Sequence, residues 1–269
     1  MTGAHGADGV GSLVRRAMGL PFGRVRAQVV EVDTEPTPAD GPRDLLHFDM
    51  RDRSGAGYAW DFPTLVDGRE LVCRGAYVLH LDALAGAVAP VVPEPWLRAR
   101  MAEMGLDLAR YRIKRFAERG LEPGAPISRP RALLAGEAAG IDPMLGEGIA
   151  QAIAYGDLAG GYLADRLEDG DLRFHDWGDR VRRARLGHDL RVRDHAMRRF
   201  YGRGRGAIER FLEEEPAFLR AGLHYFGGLP PRAPDVLRAG ASAALLAARI
   251  EARALLDFRV HSSTAQQFA

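Results

Sequence analysis

The chain has 269 residues, of which 46% are hydrophobic and 27% charged, and its formal net charge is +1. That length suffices for one large domain or two small ones with real cores, and the balanced charge gives no electrostatic argument for a nucleic-acid partner. A single cysteine, Cys73, excludes an internal disulfide and any multi-cysteine metal site. No stretch approaches the ~18–20 uninterrupted apolar residues of a bilayer span, and the opening MTGAHGADGVGS contains no apolar signal region. The expected location is therefore the cytoplasm. Lys114 is the only lysine, so a mechanism needing a catalytic amine has one candidate.

The chain opens almost at once on a glycine-rich turn, GADGVGSLVRRAMGL, in which Ser12 is placed to cap a helix and Arg15 lies one turn along it. From Arg24 to Leu81 the runs RVRAQVVEVD, DLLHFDMRD, GYAWDFP and ELVCRGAYVLHL alternate with turn material, which predicts an antiparallel sheet. Within GYAWDFP, alternation puts Tyr58, Trp60 and Phe62 on one face. Such an aromatic wall suits an apolar chain or a flat ring, and equally the core of a sheet. Cys73 reads as a buried small hydrophobe. Trp96, Leu97 and Met101 predict a helix over Pro95–Met104, and YRIKRFAERG one more edge strand.

SRPRALLAGEAAG reads as a short buried strand running into a turn. Leu133 and Leu134 end it, and Gly136 turns the chain at the carboxyl end, where open α/β sheets bind ligands. The small residues Ala138, Ala139 and Gly140 leave room for a flat or chain-like ligand, and Pro143 stops the segment from becoming helix. Gly146 and Gly148 then open a helix, GEGIAQAIAYGDLAGGYLADRL, with Ile149, Ala152, Ile153 and Leu158 at helical spacing. Its first amides have no internal partner and carry roughly half a positive charge, which favours an anionic or electron-rich ligand edge. A close-packed helix–strand crossing would call for the same glycines.

Beyond Asp176 the sequence predicts helices, arginine-rich to about Arg210, with a last one over Val236–Leu256 that packs rather than anchors in a membrane. His188 and His195, seven residues apart without carboxylates at ligand spacing, face solvent or a partner rather than a metal. The run VRRARLGHDLRVRDHAMRRF reads as a solvated surface on which a phosphate headgroup could dock.

GEAAGIDPMLGEGIAQAI resembles the second flavin-binding motif of the FAD-dependent monooxygenase and geranylgeranyl reductase group, Gly-Asp-Ala-Ala-Gly followed by Asp-Pro and Gly-Glu-Gly-Ile. Glu137 stands where that family has aspartate, and the segment before Asp142-Pro143 is one residue shorter. GADGVGSLVRRAMGL is similar to the family's Asp-Gly motif, about 125 residues earlier and in family order. The resemblance implies that Asp8, Gly9, Arg15, Gly136, Glu137, Pro143, Gly146, Gly148 and Ile149 bind FAD. Asp8 would lie on the ribose and pyrophosphate side, Glu137 on the ribityl hydroxyls, and the helix amides on the pyrophosphate and the flavin N1–C2 carbonyl edge. GYAWDFP resembles the Tyr-x-Trp-x-Phe-Pro signature of geranylgeranyl reductases, which implies that Tyr58, Trp60 and Phe62 bind substrate. The related flavin halogenases carry Trp-x-Trp and a catalytic lysine, which Tyr58 and the lone Lys114 do not match.

The fold so implied is α+β, in part α/β: an incomplete FAD-binding domain of glutathione-reductase type, built from 1–23 and 118–168. An antiparallel substrate domain (24–117) is inserted in it, and a helical C-terminal region (169–269) follows. The family's N-terminal Gly-x-Gly-x-x-Gly unit has no counterpart here, which implies a shortened reading of a longer chain with an uncovered parallel-sheet edge. The implied activity is FAD-dependent reduction of isoprenoid C=C bonds, with NAD(P)H as a candidate electron donor. The substrate would be a small molecule or an isoprenoid lipid, and the location cytoplasmic or membrane-peripheral. A flavin monooxygenase acting on an aromatic or polyketide substrate, and a flavin-free non-catalytic fragment, are the alternatives. The residues nominate no catalytic acid or base and no metal ligand.

Overall fold

The computed structural model describes residues 4–50, 56–81, 92–202, 205–229, 232–245 and 248. The chain divides into two compact units, Met1–Gly202 and Arg203–Ala269. In the first, β1 (Ala4–Gly6) and α1 (Leu13–Ala17) precede the strands β2 (Val25–Thr34), β3 (His47–Asp49), β4 (Gly57–Val66) and β5 (Arg69–Leu81). Next come α2 (Pro93–Glu103), β6 (Lys114–Arg119) and the short strands β7 (Ser128–Arg129) and β8 (Ala132–Leu134). The long α3 (Ile149–Asp169), α4 (Trp177–Arg183) and α5 (Arg185–Phe200) complete the unit. The architecture is mixed helix and sheet.

The larger sheet is antiparallel throughout, with strand order β3-β4-β5-β2-β6. Between β5 and β6 runs β2, buried on both faces: Val25, Ala27 and Val29 point one way, Val30, Val32 and Thr34 the other. The second face is closed by α2, whose Leu97 and Met101 pack with Leu108 on Val30, Val32 and Ala76. Three of the expected strands are found with ends within three residues of the alternating runs. DLLHFDMRD contributes only His47–Asp49, because the Leu45 amide bonds back to the Pro42 carbonyl (3.3 Å) in a turn that leaves Leu45 and Leu46 exposed.

Between α2 and the sheet lies a buried ion network. Arg74, fully buried, donates to both oxygens of Asp40 (2.6 and 2.7 Å), to Asp61 (2.9 Å) and to the Thr34 hydroxyl (2.9 Å). Arg100 reaches the other oxygen of Asp61 and Asp49 (3.1 Å). Because Arg74 lies directly opposite Asp61 in the β4–β5 ladder, the network fixes which residues of these strands face α2. A one-residue slip would carry these charges to the other face.

The smaller sheet, in order β1-β8-β7, pairs β1 with β8 in parallel. Leu133 and Leu134 are fully buried against Tyr155, Tyr162, Phe174, Trp177 and Leu190, and the Trp177 indole N–H donates to the Leu134 carbonyl (2.8 Å). Helix α3 buries Gln151, Tyr155, Ala159 and Tyr162. The apolar face expected at Ile149 and Ile153 points outward instead, with 81% and 69% of each residue exposed, because the two tyrosines fill the available core.

The second unit contains α6 (Arg205–Glu214), α7 (Pro216–Phe226) and helical residues 233–245. Phe211 meets Phe218 edge-on at 5.0 Å, Ser242 donates to Glu215 (3.0 Å), and Arg220 pairs with Asp235 (3.0 Å). Most of the expected Val236–Leu256 helix beyond residue 245 lies outside the described residues. Among the described residues no helix is long and apolar enough to cross a membrane.

Candidate functional site

Two glycine-containing turns, more than a hundred residues apart in sequence, meet where the two sheets join. The first follows β1, and Asp8 is its anchor. The Asp8 carboxylate accepts from the Ser12 hydroxyl (2.5 Å) and from the Leu13 and Val14 amides (2.7 and 3.3 Å), so it caps α1. The Ser12 bond, with help from these amides, holds its carboxyl below the usual range. Gly9 takes φ 74°, open to glycine at no steric cost. Arg15 is buried and turns inward, donating to the Pro21 carbonyl (2.8 Å) and across to the Ala138 carbonyl (3.2 Å) in the second turn.

The second turn follows β8. Gly136 (φ 58°) starts one turn of 3-10 helix, Gly136–Ala138, that brings Glu137 back toward Gly9. Glu137 accepts from the backbone amides of Arg119 (3.2 Å) and Val10, while Arg119 donates to the Val10 carbonyl (2.8 Å). Burial raises the Glu137 carboxyl, opposed by these two amides. Arg119 itself is buried beside Arg15, with its guanidinium over the Phe22 ring (4.4 Å to the centroid); burial, with Arg15 adding to it, pulls it down to about 10.

The small residues of this segment serve the chain's own packing. Ala138 and Ala139 lie in the core with Leu133 and Leu134, and Gly140 (φ 114°) lies against the Gly120 backbone, where a Cβ would sit 2.9 Å from the carbonyl oxygen. Pro143 is buried on Gly120. The absent side chain of Gly148 makes room for Ile141, and that of Gly146 (φ 72°) for the Glu118 carboxyl; a Cβ at either position would collide. The sequence expectation of ligand room at Ala138–Gly140 is thus corrected: a glycine records a close approach and says nothing of what approaches.

What remains open is the backbone at the start of α3. Gly148 has no side-chain cap, and no acceptor among the described residues bonds the amides of Gly146, Glu147, Gly148 or Ile149. The turn before them is held from three sides. Asp142, buried, accepts from the Met144 amide (2.8 Å) and pairs with Arg193 of α5 (2.7 Å). Tyr58 donates to the Leu145 carbonyl (2.7 Å), and Tyr201 to the Met144 carbonyl (3.3 Å). Burial raises the Asp142 carboxyl, with Arg193 the main opposing influence. Arg193 lies in the run read as a solvated surface; at this position the side chain is buried and structural.

Tyr58 also belongs to the sheet face opposite α2. Register defines the rows of that face: Leu79–Ala27–Glu118, then Tyr58–Tyr77–Val29–Phe116, then Phe48–Trp60–Gly75–Glu31–Lys114, then Phe62–Cys73–Asp33. Tyr58 stacks on Tyr77 (5.2 Å, 25°), and Phe48 meets both Tyr58 (5.7 Å) and Phe62 (4.8 Å). Trp60 lies across Gly75, where a Cβ would collide with the indole. Tyr58, Trp60 and Phe62 therefore do share a face, joined by Phe48, Tyr77 and Phe116, which sequence reading had not singled out. Phe48 and Phe116 are half exposed. At the far end Lys114 pairs with Asp33 (2.7 Å) and Glu31 (3.3 Å), and burial pushes the Cys73 thiol up to about 12, too high for a thiolate nucleophile.

Glu118 sits at the near end, one row from Tyr58, with Oε2 buried and, among the described residues, without a hydrogen-bond partner. Burial, then the nearby Glu137, Asp142 and Glu147 carboxylates, push it up to about 8. Sequence reading had not singled it out; the register of β6 and the Gly146 contact do. His188 and His195 are exposed on α5. Among the described residues no group of three His, Cys, Asp or Glu side chains is arranged to hold a metal.

No family model and no curated protein matches the chain. Among solved structures it is similar to a geranylgeranyl bacteriochlorophyll reductase-like protein from Thermoplasma acidophilum (18% identity, TM-score 0.39, covering 68% of this chain and 42% of that one). It is also similar to the Diels-Alderase of the pyrroindomycin biosynthetic pathway (21%, 0.40, 85% and 50%) and to a flavin-dependent brominase in triple-mutant form (14%, 0.38, 77% and 62%). The chain spans about half the length of these structures. Likeness at this level carries no functional weight, which rests on the residues themselves.

Proposed function

We propose that the chain forms the flavin- and substrate-facing part of an FAD-dependent oxidoreductase that reduces isoprenoid C=C bonds, with NAD(P)H as electron donor. The observation that carries the reading is the Tyr58 hydrogen bond to the Leu145 carbonyl, which ties an aromatic wall to a helix start whose amides lack acceptors. An apolar surface and a row of donors then lie one bond apart, the pairing an isoalloxazine and an apolar chain together require.

The donor set fits the group chemically. The amides from Gly146 to Ile149 would hold the electron-rich edge of the ring system, and their dipole favours the anionic reduced form. Glu137, bonded to two backbone amides, keeps lone pairs for sugar hydroxyls, next to the Gly9–Gly11 backbone. The Glu118 side chain lies over Gly146, and it has to turn aside. When bound, the flavin supplies two-electron hydride chemistry. The chain's own part is to orient the substrate on Phe48, Tyr58, Trp60 and Phe116, to exclude water there, and to keep the Gly146 turn rigid through Asp142, Tyr58 and Tyr201.

The test has two stages. FAD titrated into the folded chain is expected to lose its fluorescence and acquire a protein-bound visible spectrum; a sample folded by circular dichroism that stays colourless in millimolar FAD overturns the reading. Reduced anaerobically and given a polyprenyl lipid, the bound form is expected to yield a saturated product. A strict oxygen requirement would transfer the assignment to monooxygenation.

A further inference from the structure

The acid in front of the helix start has no structural employment. Among the described residues Glu118 makes no ion pair and its buried Oε2 has no partner, and its carboxyl lies over Gly146 at a position that only glycine tolerates. Three carboxylates in the same neighbourhood are engaged: Asp142 by Arg193 and the Met144 amide, Glu137 by the Val10 and Arg119 amides, Asp8 by the cap of α1. A buried carboxyl oxygen left without a bond costs stability, so its retention beside partnerless amides calls for an occupant that completes both.

We propose that Glu118 is a positioning residue that couples flavin binding at the Gly146 turn to one proton. In its carboxylic-acid form it swings off Gly146 and donates to the electron-rich edge of the ligand. In its carboxylate form it competes as an anion for the same amides and repels that edge. The inference rests on the flavin reading above and extends it to regulation of the site.

The surroundings set the direction. From the turns, Glu137, Asp142 and Glu147 face Glu118, and each as a carboxylate disfavours its charge; Asp142 is offset by Arg193 of α5. From the sheet and the end of α5, Tyr58, Tyr77 and Tyr201 present hydroxyls to the same region, and burial raises Tyr58 and Tyr77 far above the pH range of interest, so they stay neutral. On its own strand Lys114 is taken by Asp33 and Glu31. Burial adds to the like charges, so that Glu118 changes charge near pH 8 rather than near 4.5. Only a group so raised is switchable close to neutrality.

The experiment is FAD binding by fluorescence quenching across about pH 6.5 to 9.5, with wild type and Glu118→Gln, a change that keeps shape and removes the proton. Wild type is expected to hold a constant Kd below about pH 8 and to lose affinity about tenfold per unit above it. Glu118→Gln is expected to keep the low-pH affinity within a few-fold and show no such slope, any residue of slope belonging to the flavin itself. A second readout needs no cofactor: the urea midpoint of wild type should fall as pH rises from about 4.5 to about 8 and level off above it, and that of Glu118→Gln should lack this fall. If FAD binds wild type with one Kd throughout, or the Gln variant keeps the slope, the flavin reading stands and the coupling is overturned. If neither protein binds FAD at any pH, the flavin reading falls and takes the coupling with it.

Discussion

Replacing Arg74 by methionine removes the cation that two buried carboxylates share while preserving most of the side chain's length. The Arg74 side chain has no exposed surface, and those of Asp40 and Asp61 are 10% and 8% exposed. Deleting one partner of a buried pair typically costs about 3–5 kcal/mol, because the other charge is left uncompensated. Here Asp61 keeps Arg100, and Asp40 keeps the Thr37 amide (2.6 Å), so the expected loss is near the lower end, about 3 kcal/mol at pH 7. With a urea slope of about 2 kcal/mol/M, that moves the unfolding midpoint down by about 1.5 M. Burial pushes the Asp40 carboxyl up, but the Arg74 and Thr37 bonds outweigh it and hold it below the usual range. Its contribution is therefore present at neutral pH and lost on acidification. Without Arg74 the burial effect wins, Asp40 takes up a proton more readily, and the penalty shrinks. Urea unfolding followed by tryptophan emission should thus separate wild type and Arg74→Met by a wide gap at about pH 7 and a narrower one at about pH 5. A gap below about 1 kcal/mol at neutral pH, or one of equal size at both, would refute the view that uncompensated charge dominates.

Tyr58→Phe strips the bond to the Leu145 carbonyl and is expected to cost about 1–2 kcal/mol in thermal unfolding while weakening FAD binding; unchanged stability would mean that the turn is held elsewhere. Gly75→Ala drives a methyl group into the Trp60 indole, and is expected to cost about 1–3 kcal/mol and shift the tryptophan emission; an unaltered spectrum would sink the stacked placement of Trp60.

The strands and the long helix were legible because alternation and helical periodicity report burial directly. Val25–Thr34, Gly57–Val66, Arg69–Leu81 and Ile149–Asp169 all follow runs visible in the sequence. The shared face of Tyr58, Trp60 and Phe62 was legible for the same reason. Contacts across the chain were not. Alternation alone could not show that Phe116 and Glu118 line that face, since this depends on β6 pairing with β2 at a particular register. Nor could it show that Arg15 would bond the Ala138 carbonyl, or that Arg193, within a run of arginines, would be buried on Asp142. Gly146 and Gly148 were read as opening the helix amides to a ligand; the groups that approach them in the structure are Glu118, which lies outside the motif, and Ile141, which its spacing did not single out.

Lys114 provides the chain's one side-chain amine, and it stands on the same face as Trp60, two strands beyond Gly75. An amine-directed fluorophore would therefore attach there and, apart from the α-amino terminus, nowhere else. Its ion pairs with Asp33 and Glu31 hold the ammonium protonated, so labelling should be slow and quicken in alkaline solution or at high salt. Once attached, the dye would lie within energy-transfer range of Trp60 and signal whatever comes to rest between them.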